Sequence, residues 1–121
     1  FMFAAHNKID NLIAAVDYNS KQIDGDLEDV LSLGNLQAKI DAFGWHTIVV
    51  ENGNDLAQID EALVEAKSLT SKGKPIAILL KTKMGFGVDF MEDDHNWHGK
   101  APNDDQLANA LNQLEETLGD Y

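Results

Sequence analysis

Two stretches of this chain gather residue types that could hold a charged ligand. In DYNSKQIDG, residues 17–25, an apolar run ends in Asp17 and leads to Asn19, Asp24 and Gly25. The Asn19 side chain offers a neutral amide oxygen, and the extended Ser20-Lys21-Gln22 segment offers backbone carbonyls. Such hard oxygen donors suit magnesium, which keeps octahedral geometry and is commonly held by a few protein oxygens together with phosphate and water. A surface turn favours the same residues for local reasons, so a turn and one half of a metal and phosphate site both account for them. In KTKMGFGVDFMEDDHNWHGKAP, residues 81–102, Gly85 and Gly87 permit torsions and close approaches closed to other residues, and His95 and His98 lie three apart. A histidine in such a loop can donate to a phosphate, move a proton or ligate a metal. For His95 the preferred reading is a surface or loop-holding role. His98, next to Gly99 and close to Trp97 and Pro102, is the stronger functional candidate.

These loops need a scaffold, and hydrophobic periodicity supplies one. Phe3, Ala4 and Ala5 read as the last turns of a helix already under way. Residues 12–16, LIAAV, form a short continuous apolar run that reads as a strand buried on both faces. Leu33, Leu36, Ile40 and Phe43 recur at helical spacing, with Gly44 placed to stop the helix in a left-handed cap. HTIVV, 46–50, reads as a second buried strand. Asn54 or Asp55 caps the next helix, whose expected apolar stripe is Leu56, Ile59, Leu63, Ala66 and Leu69. Pro75 opens a third strand, 75–81, and the aperiodic segment after it is long enough to imply function. Asn103 with Gln106 fits a capping box before a last helix, with Leu107, Leu111, Leu114 and Leu118 as its buried face. Phe43, Trp45 and His46, at a helix-to-strand junction, read as packing residues.

Strands that alternate with helices and lack a polar face imply an α/β fold: a parallel sheet with helices on both faces. Ligands of such sheets bind beyond the carboxyl ends of the strands, so the loops of interest are 17–29, 51–55 and 82–102.

Composition narrows the classes. The 121 residues suit one domain or a piece of one. With 21 acidic and 9 basic residues the formal net charge is −12, which repels nucleic acid and anionic membranes. A phosphate ligand would need a metal or backbone amides to hold it. The absence of cysteine excludes a disulfide framework, a thiolate zinc site and a thiol nucleophile. No apolar run approaches the roughly 20 residues of a membrane helix, and the expectation is a cytoplasmic protein.

Taken together, DNLIAAVDYNSKQIDG, FGWHTIVVENGND and PIAILLKTKMGFGVDFMEDDHNWHGKAPND resemble, in order and spacing, the thiamine-diphosphate-binding domain of transketolases, most of all the N-terminal subunit of the split form. The resemblance covers nearly the whole chain, and QIDG and HGKAP are its more specific segments. It implies that the chain, 1–121, is the C-terminal portion of that domain. It also implies that the Asn19 side-chain oxygen and the Lys21 backbone carbonyl bind the magnesium or calcium bridging the cofactor diphosphate. Ile23 and Met84 would pack on thiamine diphosphate, and His98 would position the diphosphate and the donor substrate, with a part in proton transfer. The reaction implied is transfer of a two-carbon ketol unit between sugar phosphates, as in the pentose phosphate pathway.

The family's Gly-Asp-Gly element and its upstream substrate-facing histidines do not occur in this sequence, and the glutamate that activates the cofactor belongs to a complementary pyrimidine-binding domain or subunit. The expectation is a fragment, inactive alone, that associates with its own kind or with that partner. Two other readings stand beside it: a non-catalytic binding or assembly module of the same fold, and a small α/β metal- or nucleotide-binding domain.

Overall fold

The computed structural model describes residues 1–115. The chain opens with a one-turn helix α1 (Met2–His6) and the strand β1 (Ile13–Asp17). A two-stranded ribbon follows, β2 (Lys21–Gln22) and β3 (Gly25–Asp26), then two short helices, α2 (Leu27–Leu31) and α3 (Leu36–Ala42). The remainder is β4 (His46–Val50), α4 (Leu56–Leu69), β5 (Ile76–Leu80), a single 3₁₀ turn at His95–Trp97 and α5 (Asp104–Gln113). The ribbon and α2 break up the segment 17–29, which the sequence suggested as a plain loop.

β1, β5 and β4 form a parallel sheet in that order, with Ile76 in register with both Ile13 and His46. The central strand β5 carries residues buried on both faces. One face packs Ile76 and Ile78 with Ile48, Val50, Ala62 and Ala66 beneath α4. The other packs Ala77 with Ala4, Ile40 and Trp45 beneath α1 and α3. Helices thus cover both faces, as the alternation implied.

Several expectations need correction. The first strand starts one residue later than expected, and it is only half-buried, because β1 forms an edge of the sheet among the described residues. Leu33 lies ahead of α3, whose cap is Asn35. Phe43 and His46 are exposed, and of that trio only Trp45 is buried. Gly44 does follow α3 with φ +90°.

In α4 the buried positions are Ala62 and Ala66, flanked by half-buried Ile59 and Leu69, while Leu56 and Leu63 are exposed. Small residues let this helix approach the sheet closely, and its larger leucines fall on the shoulder. The α5 face of Leu107, Leu111 and Leu114 is likewise exposed. That helix buries only Ala110 and is tied to the preceding loop through Gln113, which bonds Asp89, and Leu118 lies outside the described residues.

Caps behave as their residue types dictate. The Asp55 carboxylate accepts the Ala57 N–H at 2.9 Å. Asn103 and Gln106 form the expected box, each side chain accepting the other's backbone N–H.

Candidate functional site

Hydrogen bonds lash the carboxyl ends of the strands together. The Tyr18 N–H donates to the Leu80 carbonyl at 2.8 Å, Gly53 N–H to Lys81 O at 2.8 Å and Lys83 N–H to the Asn54 side-chain oxygen at 2.7 Å. The Thr82 hydroxyl donates to the Asp17 carboxylate. The loop 51–55 therefore braces the start of the long loop.

Beyond Asp17 the chain folds back at Ser20, a non-glycine residue held in the left-handed region at φ +60°. This brings the Lys21 N–H to 3.0 Å from the Asn19 side-chain oxygen, which leaves that carbonyl-type oxygen one lone pair for a second partner. In the ribbon, Gln22 pairs with Gly25 and Lys21 with Asp26, so Ile23 and Asp24 form the two-residue turn. Leu27 N–H donates to Ser20 O at 2.9 Å. Antiparallel ladders alternate bonded and non-bonded pairs, so the Lys21–Asp26 pair is non-bonded and the Lys21 carbonyl is directed away from β3. The Lys21 ammonium pairs with Asp26. That hydrogen bond raises the ammonium above its usual value and holds the carboxyl below its own.

The loop 82–102 is folded upon itself. Gly85 has φ +68°, and a Cβ there would meet the Met91 carbonyl oxygen at 2.3 Å, so this close approach excludes any side chain. Met84 O accepts from Asp93 N–H at 3.0 Å, and Val88 O accepts from Met91 and Glu92. The Glu92 carboxylate takes the Gly87 N–H and the Lys83 ammonium, each at 3.1 Å. The Gly87 amide, then the Lys83 ammonium, hold it below the usual carboxylate range. Asp94 accepts the Asn96 N–H at 3.0 Å and the Asn96 amide at 2.7 Å, which lowers its carboxyl in turn. His98 follows directly, its N–H donating to His95 O at 3.0 Å.

Between ribbon and loop lies an open cleft of about 450 Å³, lined by Asn19, Lys21, Gln22, Ile23, Asp24, Met84 and His98. Five of these, Asn19, Lys21, Ile23, Met84 and His98, are the candidates from the sequence, drawn from segments some sixty residues or more apart. Gln22 and Asp24 were named in the sequence without a role on the ligand; the two-residue turn at Ile23-Asp24 places both beside Ile23. His95 does not line the cleft; its carbonyl anchors His98. Neutral oxygens, two apolar side chains, an exposed imidazole and the Asp24 carboxylate together suit a ligand with an apolar ring and an anionic end that is accompanied by a cation.

Among the described residues, no three His, Asp or Glu side chains converge as a metal site would require. Asn19 and Lys21 offer only neutral oxygens, a donor set that fits a hard cation whose remaining ligands come from phosphate and water.

Residues 1–118 match the family described as the transketolase thiamine diphosphate binding domain. A transketolase of Staphylococcus epidermidis is 40% identical over 106 residues, 88% of this chain and 15% of that protein. The transketolase-like protein 1 of Bos taurus is 36% identical over 95% of this chain and 19% of its own length. The crystal structure of Pichia stipitis transketolase with sedoheptulose 7-phosphate superposes with a TM-score of 0.80 at 32% identity, covering 90% of this chain and 16% of that one. Campylobacter jejuni transketolase gives 0.80 at 30% identity, with 93% and 17% covered. The chain thus spans less than a fifth of the length of these relatives. A family match over nearly all its residues, joined to this fold, means that the chain belongs to the transketolase thiamine diphosphate-binding domain family.

Proposed function

We propose that this chain contributes the diphosphate-binding side of a transketolase active site, transferring a two-carbon ketol unit from a ketose phosphate to an aldose phosphate. One observation carries the reading: Asn19, Lys21, Ile23, Met84 and His98, drawn from two separate loops, line a single cleft at the carboxyl ends of parallel strands. The Asn19 side-chain oxygen and the Lys21 carbonyl would hold magnesium or calcium. Ile23 and Met84 would pack against the thiamine ring, and His98 would hold the diphosphate and orient the donor. Thiamine diphosphate, when bound, supplies the chemistry for breaking and making the carbon–carbon bond.

The work of this chain is orientation and charge neutralisation. The complementary pyrimidine-binding domain or subunit would close the other side of the cofactor, in a cytoplasmic enzyme acting on sugar phosphates. The P. stipitis enzyme solved with sedoheptulose 7-phosphate supports that substrate class.

Calorimetric titration of thiamine diphosphate with magnesium into the complete enzyme containing this chain tests the reading. Saturable binding is expected, weakened about 10-fold or more in Asn19→Ala. Asn19→Asp, which keeps an oxygen able to accept the Lys21 N–H, should retain binding. Affinity unchanged by the alanine substitution would exclude Asn19 from the metal.

A further inference from the structure

His98 stands at the rim of the cleft, and its backbone bond to His95 secures only the turn beneath it. Two bonds fix this turn to the body of the loop: the Asp94 N–H donates to the Met91 carbonyl at 3.3 Å, and the neighbouring indole supplies the side-chain tie. The Trp97 Nε1–H donates to the Phe90 carbonyl at 2.8 Å, seven residues upstream. The two rings meet edge to face, with centroids 5.3 Å apart and planes at 62°. The Lys100 ammonium lies 4.6 Å from the indole centroid, so the segment after His98 folds back on the same ring. Asp94 caps the turn from the other end. His98 thus sits between two residues, Trp97 and Lys100, that meet at one indole, which Phe90 engages from earlier in the same loop.

We propose that Trp97 is a positioning residue for His98: the Phe90–Trp97–Lys100 stack sets the height and direction at which the His98 imidazole enters the cleft. The inference deepens the transketolase reading and rests on it. Trp97 itself does not line the cleft, so its influence on the reaction passes through His98. Loss of the indole N–H frees the Phe90 carbonyl and lets the turn pivot, and small misplacements of a substrate-facing group are costly to rate.

The test is a double-mutant cycle in the complete enzyme containing this chain. Trp97→Phe, which retains a ring but not the donor, and Phe90→Leu, which retains the donor but not the edge-to-face contact, are each made with His98 present and with His98→Ala. With His98 present, kcat/KM for ketol transfer should fall between about 10-fold and 100-fold. In the His98→Ala background the same substitutions should change it less than about twofold, because the group they position is gone. Equal losses in both backgrounds would overturn the proposal, since a merely structural role adds independently.

A second readout needs no turnover. Hydrogen exchange at the His98 amide, bonded to His95 O, should accelerate in Trp97→Phe, and unchanged exchange there would equally overturn it. If the wild-type enzyme transfers no ketol unit, the functional reading fails, while the exchange measurement still decides whether Trp97 holds the turn.

Discussion

Gly85 shows at the scale of a single residue why the loop carrying Met84 has one shape. Its φ of +68° costs an L residue roughly 1–2 kcal/mol, and the Met91 carbonyl oxygen would lie 2.3 Å from an added Cβ. Gly73 separates these two effects, since its φ is +84° but nothing lies within 4 Å of its Cβ position. Gly73→Ala should therefore cost roughly the torsional 1–2 kcal/mol alone, and Gly85→Ala distinctly more, as read from chemical denaturation midpoints. Equal costs would mean that the loop yields freely around Met91. The same residue shows where the sequence was legible: Gly-Phe-Gly announced an unusual backbone but not which carbonyl it must admit. Asn19 and His98 stood out as an amide oxygen in a polar turn and a histidine in a long loop, and the family resemblance gave them their roles, whereas placing Gln22 and Asp24 required knowing that residues 21–26 pair as a ribbon. Trp97 read only as a neighbour of His98, since its partner Phe90 lies in an aperiodic stretch that gives no register.

The elements were legible where burial and propensity agree. The apolar run of β5 and the capped N-termini of α4 and α5 were recognisable, because continuous burial and side-chain caps leave direct marks. The buried faces of α4 and α5 were not, because leucine spacing points to a stripe while close approach to a sheet, or to a loop, selects alanine. The loop 82–102 depends instead on half-buried carboxylates, and its pH response follows from their shifts. Glu92 and Asp94 lie below their usual values in the fold, so their contribution is complete above about pH 4–5 and is lost as pH falls through the lowered values. Lys83 is raised above 10.5, so its contribution is complete below that value and is lost only as pH rises through the higher one. The loop should thus be insensitive to pH across neutrality and loosen in acid. Amide exchange at Gly87, whose N–H donates to Glu92 at 3.1 Å, should accelerate below about pH 4 after correction for its intrinsic rate. In Glu92→Gln that acid step should vanish. Protection at pH 3 equal to that at pH 6 would show that the carboxylate does not hold the loop.

At the scale of the whole molecule, the charge sets a condition that no single side chain reveals. The chain carries a formal −12, and three of its lysines, Lys21, Lys81 and Lys83, are paired with carboxylates. A diphosphate approaching the cleft meets an overall repulsive field, and the Lys21 ammonium at the cleft is already engaged by Asp26. Two neutral oxygens, from Asn19 and Lys21, do not offset that field, whereas a divalent ion between them and the phosphates would. Chelation of magnesium should therefore weaken thiamine diphosphate binding at least about 10-fold, as expected when a cation rather than the protein neutralises the ligand. Salt gives the sharper discrimination, because the Debye length shortens to about 10 Å at 0.1 M. If the field is repulsive, raising potassium chloride should strengthen the residual metal-free binding and change the magnesium-dependent binding much less. If the metal-free affinity instead falls with salt, lysine side chains attract the diphosphate directly and the field at the cleft is not repulsive. The two signs are opposite, so a pair of titrations in low and high salt decides whether the acidic composition of this chain is neutralised by an ion or bypassed by its own ammonium groups.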